Sequence, residues 1–184
     1  LTDGTIHRHS TEAHLARAFL GGRGLNVKRL WDELPPHTDG LSPENMLLFG
    51  VGPLAGTLFP GGARFNVSAM SPQTGILGDS NAGGFLGPEL KFAGYDALVV
   101  EGRSASPVYL LIEDDSVQFR DASSLWGKGA VETRELLKKE HGSSVKTVTM
   151  GPAGENLVIF ANVMADNDSN ASGGFGAVMG SKKL

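Results

Sequence analysis

The chain has 184 residues, 40% of them hydrophobic, and 16 Lys+Arg against 20 Asp+Glu give a formal charge of -4. That suits one compact domain with its own core and excludes a chain-wide basic footprint for nucleic acid. The absence of cysteine excludes disulfides, thiolate zinc sites, a cysteine nucleophile and a cysteine-ligated iron-sulfur cluster within this chain.

In chain order, Thr2-Asp3-Gly4-Thr5 is a turn signal. Ser10 or Thr11 is placed to cap a helix carrying Leu15, Ala16, Phe19 and Leu20 on one face, stopped by Gly21-Gly22. A second helix is predicted from about Leu25 to Leu34, with Leu30, Trp31 and Leu34 inward and Pro35-Pro36 ending it. Met46 to Gly50, Arg64 to Met70 and Ile76 to Gly78 read as strands. Gly84 to Ala93 reads as a short helix, because Pro88 is tolerated only near a first turn. Ala97 to Glu101, Val108 to Ile112 and Val117 to Arg120 are spaced as strands, and Val131 to Glu140 as a helix with Glu135 and Lys139 set for an i,i+4 pair. Val145 to Met150 and Leu157 to Val163 read as strands flanking the Gly151-Pro152 turn, and Gly173 onward as a glycine-rich helix start. Strands and helices do not alternate as in a doubly wound sheet, so an α+β fold with a mixed or largely antiparallel sheet is expected.

No apolar run approaches the ~20 residues needed to span a bilayer, so no membrane partner is expected. Leu1 to His9 lacks the basic and apolar regions of a secretory signal, which makes the cytoplasm the expected compartment. Three Asn-x-Ser matches, at Asn66, Asn167 and Asn170, would matter only in a secreted protein. The five histidines show no metal-ligand spacing, and no Ser/His/Asp order suggests a triad, so no catalytic residue is assigned. Glu89, Lys91, Asp96 and Glu155, near glycine turns, read as caps and ion-pair members.

The most informative pattern is an internal echo. Asp79-Ser80-Asn81-Ala82-Gly83-Gly84-Phe85 recurs as Asp168-Ser169-Asn170-Ala171-Ser172-Gly173-Gly174-Phe175, with one residue more. Each copy follows a strand that enters a Gly-Pro turn, Gly52-Pro53-Leu54-Ala55-Gly56 and Gly151-Pro152-Ala153-Gly154. Two such units packed about a pseudo-two-fold axis would bring their loops face to face. A loop of this kind offers unpaired N-H groups and no Cβ at its glycines, so a phosphorylated anion or a flat ring can approach the backbone. The plain alternative is a pair of tight turns in which Asn and Gly supply positive φ. Arg64, closing the Gly61-Gly62-Ala63 loop, could pair bidentately with a phosphate or be a solvated strand-edge residue.

Taken as a set, several blocks resemble the N-terminal domain of the aldehyde ferredoxin oxidoreductase family, the tungsten-pterin enzymes, over nearly the whole chain. They include Gly21-Gly22-Arg23-Gly24-Leu25, Gly62-Ala63-Arg64-Phe65-Asn66, Glu89-Leu90-Lys91-Phe92-Ala93-Gly94-Tyr95-Asp96-Ala97, Gly151-Pro152-Ala153-Gly154-Glu155-Asn156 and Gly176-Ala177-Val178-Met179-Gly180-Ser181-Lys182. The resemblance implies a domain of two packed sheets about a pseudo-two-fold. Residues 1-184 would form a single N-terminal, cofactor-binding domain of a longer enzyme. It implies a tungsten, or molybdenum, bis-molybdopterin cofactor (tungstopterin), with magnesium bridging the pterin phosphates and a [4Fe-4S] cluster held by cysteines further along the chain. It implies oxidation of an aldehyde to a carboxylate, ferredoxin as electron acceptor, packing against the enzyme's own downstream domains, and often a homodimer.

By the same resemblance, Arg64 matches a pterin-contacting arginine, Asn81 a backbone carbonyl donor to magnesium, and Gly83 a close-approach glycine. In the second loop Ser169 falls where the other magnesium carbonyl belongs, and Asp168 where family members often carry a pterin-contacting arginine. An aspartate cannot inherit that role, because a carboxylate facing phosphate is unfavourable unless magnesium lies between them. Ser172 replaces another commonly basic position, and Asn170 becomes the carbonyl donor if the internal echo gives the better alignment. The altered second loop keeps two alternatives open: another low-potential reduction, such as that of an aromatic thioester or carboxylic acid, and a non-catalytic cofactor carrier.

Overall fold

A computed structural model describes residues 1-184, the side chain of Asn167 excepted, so the sequence match at Asn167 lies outside the described residues. Helices α1 (Ala13-Phe19) and α2 (Arg23-Glu33) lead into β1 (Leu47-Val51), β2 (Phe65-Met70), β3 (Leu77-Ala82), α3 (Leu86-Phe92) and β4 (Ala97-Val100). The hairpin of β5 (Val108-Glu113) and β6 (Ser116-Asp121) and helix α4 (Ala130-His141) follow. The second half comprises β7 (Val148-Thr149), α5 (Pro152-Glu155), β8 (Val163-Ala165), a 3-10 turn (Asp166-Asp168), β9 (Asn170-Ala171) and α6 (Phe175-Ser181).

One sheet has the order β3-β2-β1-β4 and another the order β7-β8-β9, with β5-β6 standing apart. Every pairing is antiparallel, as an α+β reading with an antiparallel sheet expects. The two sheets share one path: a strand, a Gly-Pro turn, an antiparallel partner, then an edge strand carrying the echo motif and a short helix. The edge strands β3 and β9 lie against each other, so the duplication seen in the sequence is also a duplication of topology.

The main core joins both halves, with Leu47, Phe49, Val51, Phe65 and Val67 from the first sheet against Val163, Ala165, Phe175 and Val178 from the second. Helix α6 is buried along its whole length. It gets so close to α5 because glycines cross there: a Cβ on Gly154 would sit 2.7 Å from the Gly176 carbonyl, and one on Gly180 would overlap the Gly154 carbonyl. Lys182, just past α6, is fully buried. Its ammonium donates to the carbonyls of Asn45, Pro43 (3.3 Å) and Gly102 (3.1 Å), tying the loop before β1 to the segment after β4.

Several local expectations give way to tertiary context. Trp31, predicted inward, is 83% exposed, and only Leu30 and Asn26 of α2 are fully buried. Helix α1 buries none of its residues and has no side-chain cap; Thr11 donates its hydroxyl to Asp96 instead. Leu157 adopts positive φ in a turn, and the strand predicted from Leu157 begins only at Val163. Glu135 pairs with its neighbour Arg134 and Lys138 with Asp166, in place of the expected Glu135-Lys139 pair. Lys91 pairs with Asp96, as the ion-pair reading expects, and Glu155 accepts the Gly127 N-H with both oxygens at 2.8 Å.

Candidate functional site: two facing loops

The ends of β3 and β9 turn the echo motif into a pair of facing loops. In β3 the burial alternates: Ala82 points into the core while Asp79 and Asn81 are exposed. In β9 Ala171 is buried and Asn170 exposed. Ladder positions match as well, with Asn66 opposite Asn81 and Met164 opposite Asn170. The glycines after each strand take positive φ, +86° at Gly84 and +108° and +83° at Gly173 and Gly174. At Gly84 a side chain is doubly excluded, because its Cβ would lie 2.7 Å from the Asp166 carbonyl of the other half.

Two hydrogen bonds join the loops, and they are reciprocal. Gly83 donates its N-H to the Ser169 hydroxyl at 2.6 Å, and Ser172 donates its N-H to the Ser80 hydroxyl at 3.2 Å. Counted from the aspartate that opens each copy, Ser80 corresponds to Ser169 and Gly83 to Ser172, the residue by which the second copy is longer, so each unit gives the other the same kind of contact. Mutual exchange of this kind is what a local two-fold produces. The Ser71 hydroxyl also donates to the Gly173 carbonyl at 2.8 Å.

The first loop is held by an amide network. Asn26 donates to the Asn66 side-chain carbonyl at 3.0 Å, Ser68 donates to that same oxygen at 2.6 Å, and Asn66 donates to the Asn81 side-chain carbonyl at 3.1 Å. The amide network explains why Gly50 carries no side chain, since a Cβ there would sit 2.5 Å from Asn26. Two arginines flank the loops. Arg23, the first residue of α2, meets Asp79 at 2.6 Å, and Arg134 of α4 meets Asp168 at 2.8 Å. The bond to Asp168 holds the Arg134 guanidinium above its ordinary pKa despite the opposing effect of desolvation.

Of the residues singled out in the sequence, Arg64, Asn81, Gly83, Asp168, Ser169 and Asn170 all lie on these two loops or their flanks. Arg64 precedes β2, whose Phe65 pairs with Ala82, and this sets Arg64 beside Gly83. It is exposed and has no hydrogen-bond or ion-pair partner among the described residues. Asp168 is engaged by Arg134, and Ser169 supplies the latch hydroxyl while its carbonyl accepts from the Ala165 N-H at 2.7 Å. Sequence reasoning passed over Ser80, Asn26 and Arg134. The signal for Ser80 was present in its repeat position, whereas Arg134 sits in a helix with no motif.

Among the described residues no three His, Cys, Asp or Glu side chains cluster as a metal site. What the loops offer is neutral carbonyls, N-H groups, Cβ-free glycines and one unpaired guanidinium. That donor set fits a phosphate-bearing ligand and a hard cation that draws most of its oxygens from the phosphates.

Residues 1-184 match the family described as Aldehyde ferredoxin oxidoreductase, N-terminal domain. The chain belongs to that family. A tungsten-containing aldehyde ferredoxin oxidoreductase of Pyrococcus furiosus is 50% identical over 186 residues, covering 100% of this chain and 31% of that protein. A second P. furiosus relative, named as the WOR-like subunit of an aliphatic sulfonate oxidoreductase, is 40% identical over 91% of the chain and 29% of its own length. Among solved structures, the active site complex BamBC of benzoyl coenzyme A reductase, with 1,5 dienoyl-CoA, superposes with TM-score 0.96 at 47% identity, over 100% of this chain and 28% of that one. The chain therefore spans about a third of the length of the relatives it matches.

Proposed function

We propose that this chain is the cofactor-binding base of a tungsten bis-molybdopterin oxidoreductase that converts an aldehyde and water to a carboxylate, with electrons passing to ferredoxin. One observation carries the reading: two copies of one glycine-rich loop face each other through reciprocal hydrogen bonds, as a ligand with two similar phosphate-bearing halves requires. The family and the names of its tungsten-containing relatives supply the chemistry. When bound, the tungsten centre supplies the two-electron step.

The roles of this chain's residues are binding and orientation. Arg64 gives a phosphate its charge-assisted hydrogen bonds, and Gly83, with no side chain of its own, lets the ligand approach the backbone. A bound magnesium ion would draw on the backbone carbonyl of Asn81 and on that of Ser169 or of its neighbour Asn170, the symmetry mate of Asn81. Magnesium keeps few protein ligands when phosphates supply the rest, and no carboxylate cluster occurs among the described residues. The cluster-bearing and substrate-binding parts belong to further domains, and the domain meets ferredoxin only through that longer enzyme. No helix among the described residues is long and apolar enough to cross a membrane.

A second reading is favoured by the likeness to the benzoyl coenzyme A reductase complex: the same platform serving reduction of an aromatic thioester. An anaerobic assay separates the two. Dye reduction on adding aldehydes, with no turnover of aromatic thioesters, supports the first reading. Thioester-dependent consumption of a low-potential reductant without aldehyde oxidation supports the second.

A further inference from the structure

The echo places an aspartate at the same position in both units, Asp79 and Asp168, at the entrance to the loops. On the proposed function, on which this inference rests, those carboxylates stand beside a ligand bearing two phosphates. Unneutralised, each would repel it. The structure assigns each aspartate an arginine from a helix outside the repeat, and we propose that Arg23 and Arg134 are positioning residues. They neutralise Asp79 and Asp168, and so permit phosphate binding without touching the ligand.

The geometry supports the pairing on both sides. Arg23 meets Asp79 at 2.6 Å, and Asp79 also accepts from Asn66 at 3.4 Å. Arg134, 14% exposed, meets the 70%-exposed Asp168 at 2.8 Å. Asp168 takes positive φ (57°), so that its backbone and its carboxylate are both committed to this turn. Arg134 has Glu135 as a further neighbour at 3.5 Å. Just before Asp168, buried Asp166 is balanced in the same way by Lys138 at 3.3 Å and by the Thr147 N-H at 2.8 Å.

Fold stability accounts for little of the two clamps, because Arg23 and Asp168, 60% and 70% exposed, leave each pair open to water, where an ion pair contributes only about 0-1 kcal/mol. Their common product is that both entrance aspartates are paired, while Arg64 has no partner among the described residues. The two halves of the site are then electrically unequal. Arg64 adds an unpaired guanidinium beside the first loop, whereas Arg134 is shared between Asp168 and Glu135. Sequence comparison by residue type alone would read Asp168 as a defect; paired with Arg134 it is a compensated one.

The test uses the full-length holoenzyme purified without oxygen, in wild-type form and as Arg134→Gln, Asp168→Asn and the double variant. Tungsten, magnesium and pterin retained per chain after gel filtration are measured, together with the urea midpoint. Arg134→Gln is expected to retain roughly tenfold less cofactor, about 1.4 kcal/mol, at an unchanged midpoint. Asp168→Asn should retain at least the wild-type amount, and the double variant should recover to the level of Asp168→Asn. Wild-type retention in Arg134→Gln, or failure of the double variant to recover, overturns the inference. So does loss of magnesium from Asp168→Asn, which would make the carboxylate itself a ligand. A folded wild type without tungsten or pterin overturns the cofactor reading and this inference with it, whereas a loaded wild type beside a loaded Arg134→Gln overturns this inference alone.

Discussion

Removing the hydroxyls that latch the two loops should loosen them unequally. Ser169 accepts the Gly83 N-H at 2.6 Å in a partly buried position, and Ser80 accepts the N-H of exposed Ser172 at 3.2 Å. A typical hydrogen bond contributes about 0.5-1.5 kcal/mol net, and a donor stranded away from water costs about 1-3 kcal/mol. Ser169→Ala leaves the Gly83 N-H where water reaches it poorly, so it should cost about 1.5 kcal/mol, while Ser80→Ala, whose orphaned amide is solvated, should cost about 0.5 kcal/mol. The double variant should depart from additivity, since both bonds span one interface. In amide hydrogen exchange, Ser169→Ala should cut protection at Gly83 by roughly tenfold, the equivalent of about 1.4 kcal/mol, and Ser169→Thr should restore much of it. Equal protection at Gly83 in wild type and Ser169→Ala, or a larger cost from Ser80→Ala, would refute the latch.

Arg64 is exposed and unpartnered among the described residues. Arg64→Ala should therefore change the urea midpoint by no more than about 0.5 kcal/mol, while bound tungsten falls about tenfold or more with the loss of a charge-assisted bond; unchanged metal content argues against the role. Gly180→Ala drives a Cβ into the Gly154 carbonyl and should cost on the order of 3 kcal/mol, seen as a drop in thermal midpoint; a wild-type melt would contradict the α5-α6 crossing. Burial pushes the Lys182 ammonium down from 10.5 to about 8, against the pull of Glu101 and Glu44. Between those values the unfolded chain binds the proton more tightly than the folded one, so this residue makes stability rise with pH across that window, by up to about 1.4 kcal/mol per pH unit. The difference between wild type and Lys182→Met in urea midpoints should grow from pH 8 to 10; a flat difference contradicts it. At every pH the variant should be the less stable, because the Pro43, Asn45 and Gly102 carbonyls lose their donor.

How much was legible in the sequence follows from where the determining forces lie. Strands β1, β2, β4, β5 and β6 were readable because their apolar runs end in turn residues, a local signal. The echo was readable because a duplicated loop repeats its residues in order, and the face-to-face arrangement followed from it. Trp31 was misread because helical periodicity assumes a partner on that face, and in this chain nothing covers it. Residues 157-162 read as a strand by hydrophobicity, yet the close passage of α6, with Gly176 against Asn162, leaves room only for a turn. The Arg23-Asp79 and Arg134-Asp168 pairs were invisible because they join residues 56 and 34 positions apart in the numbering, and only the assembled sheets bring those helices to the loops.

On the proposed function, two facing loops hold one two-armed, phosphate-bearing cofactor. The most direct test of that claim is elemental and pterin analysis of the full-length protein purified without oxygen. The claim predicts tungsten with a pair of pterins per metal atom and bound magnesium, all lost together when Arg64 is replaced by alanine. Well-folded protein carrying none of them would contradict it.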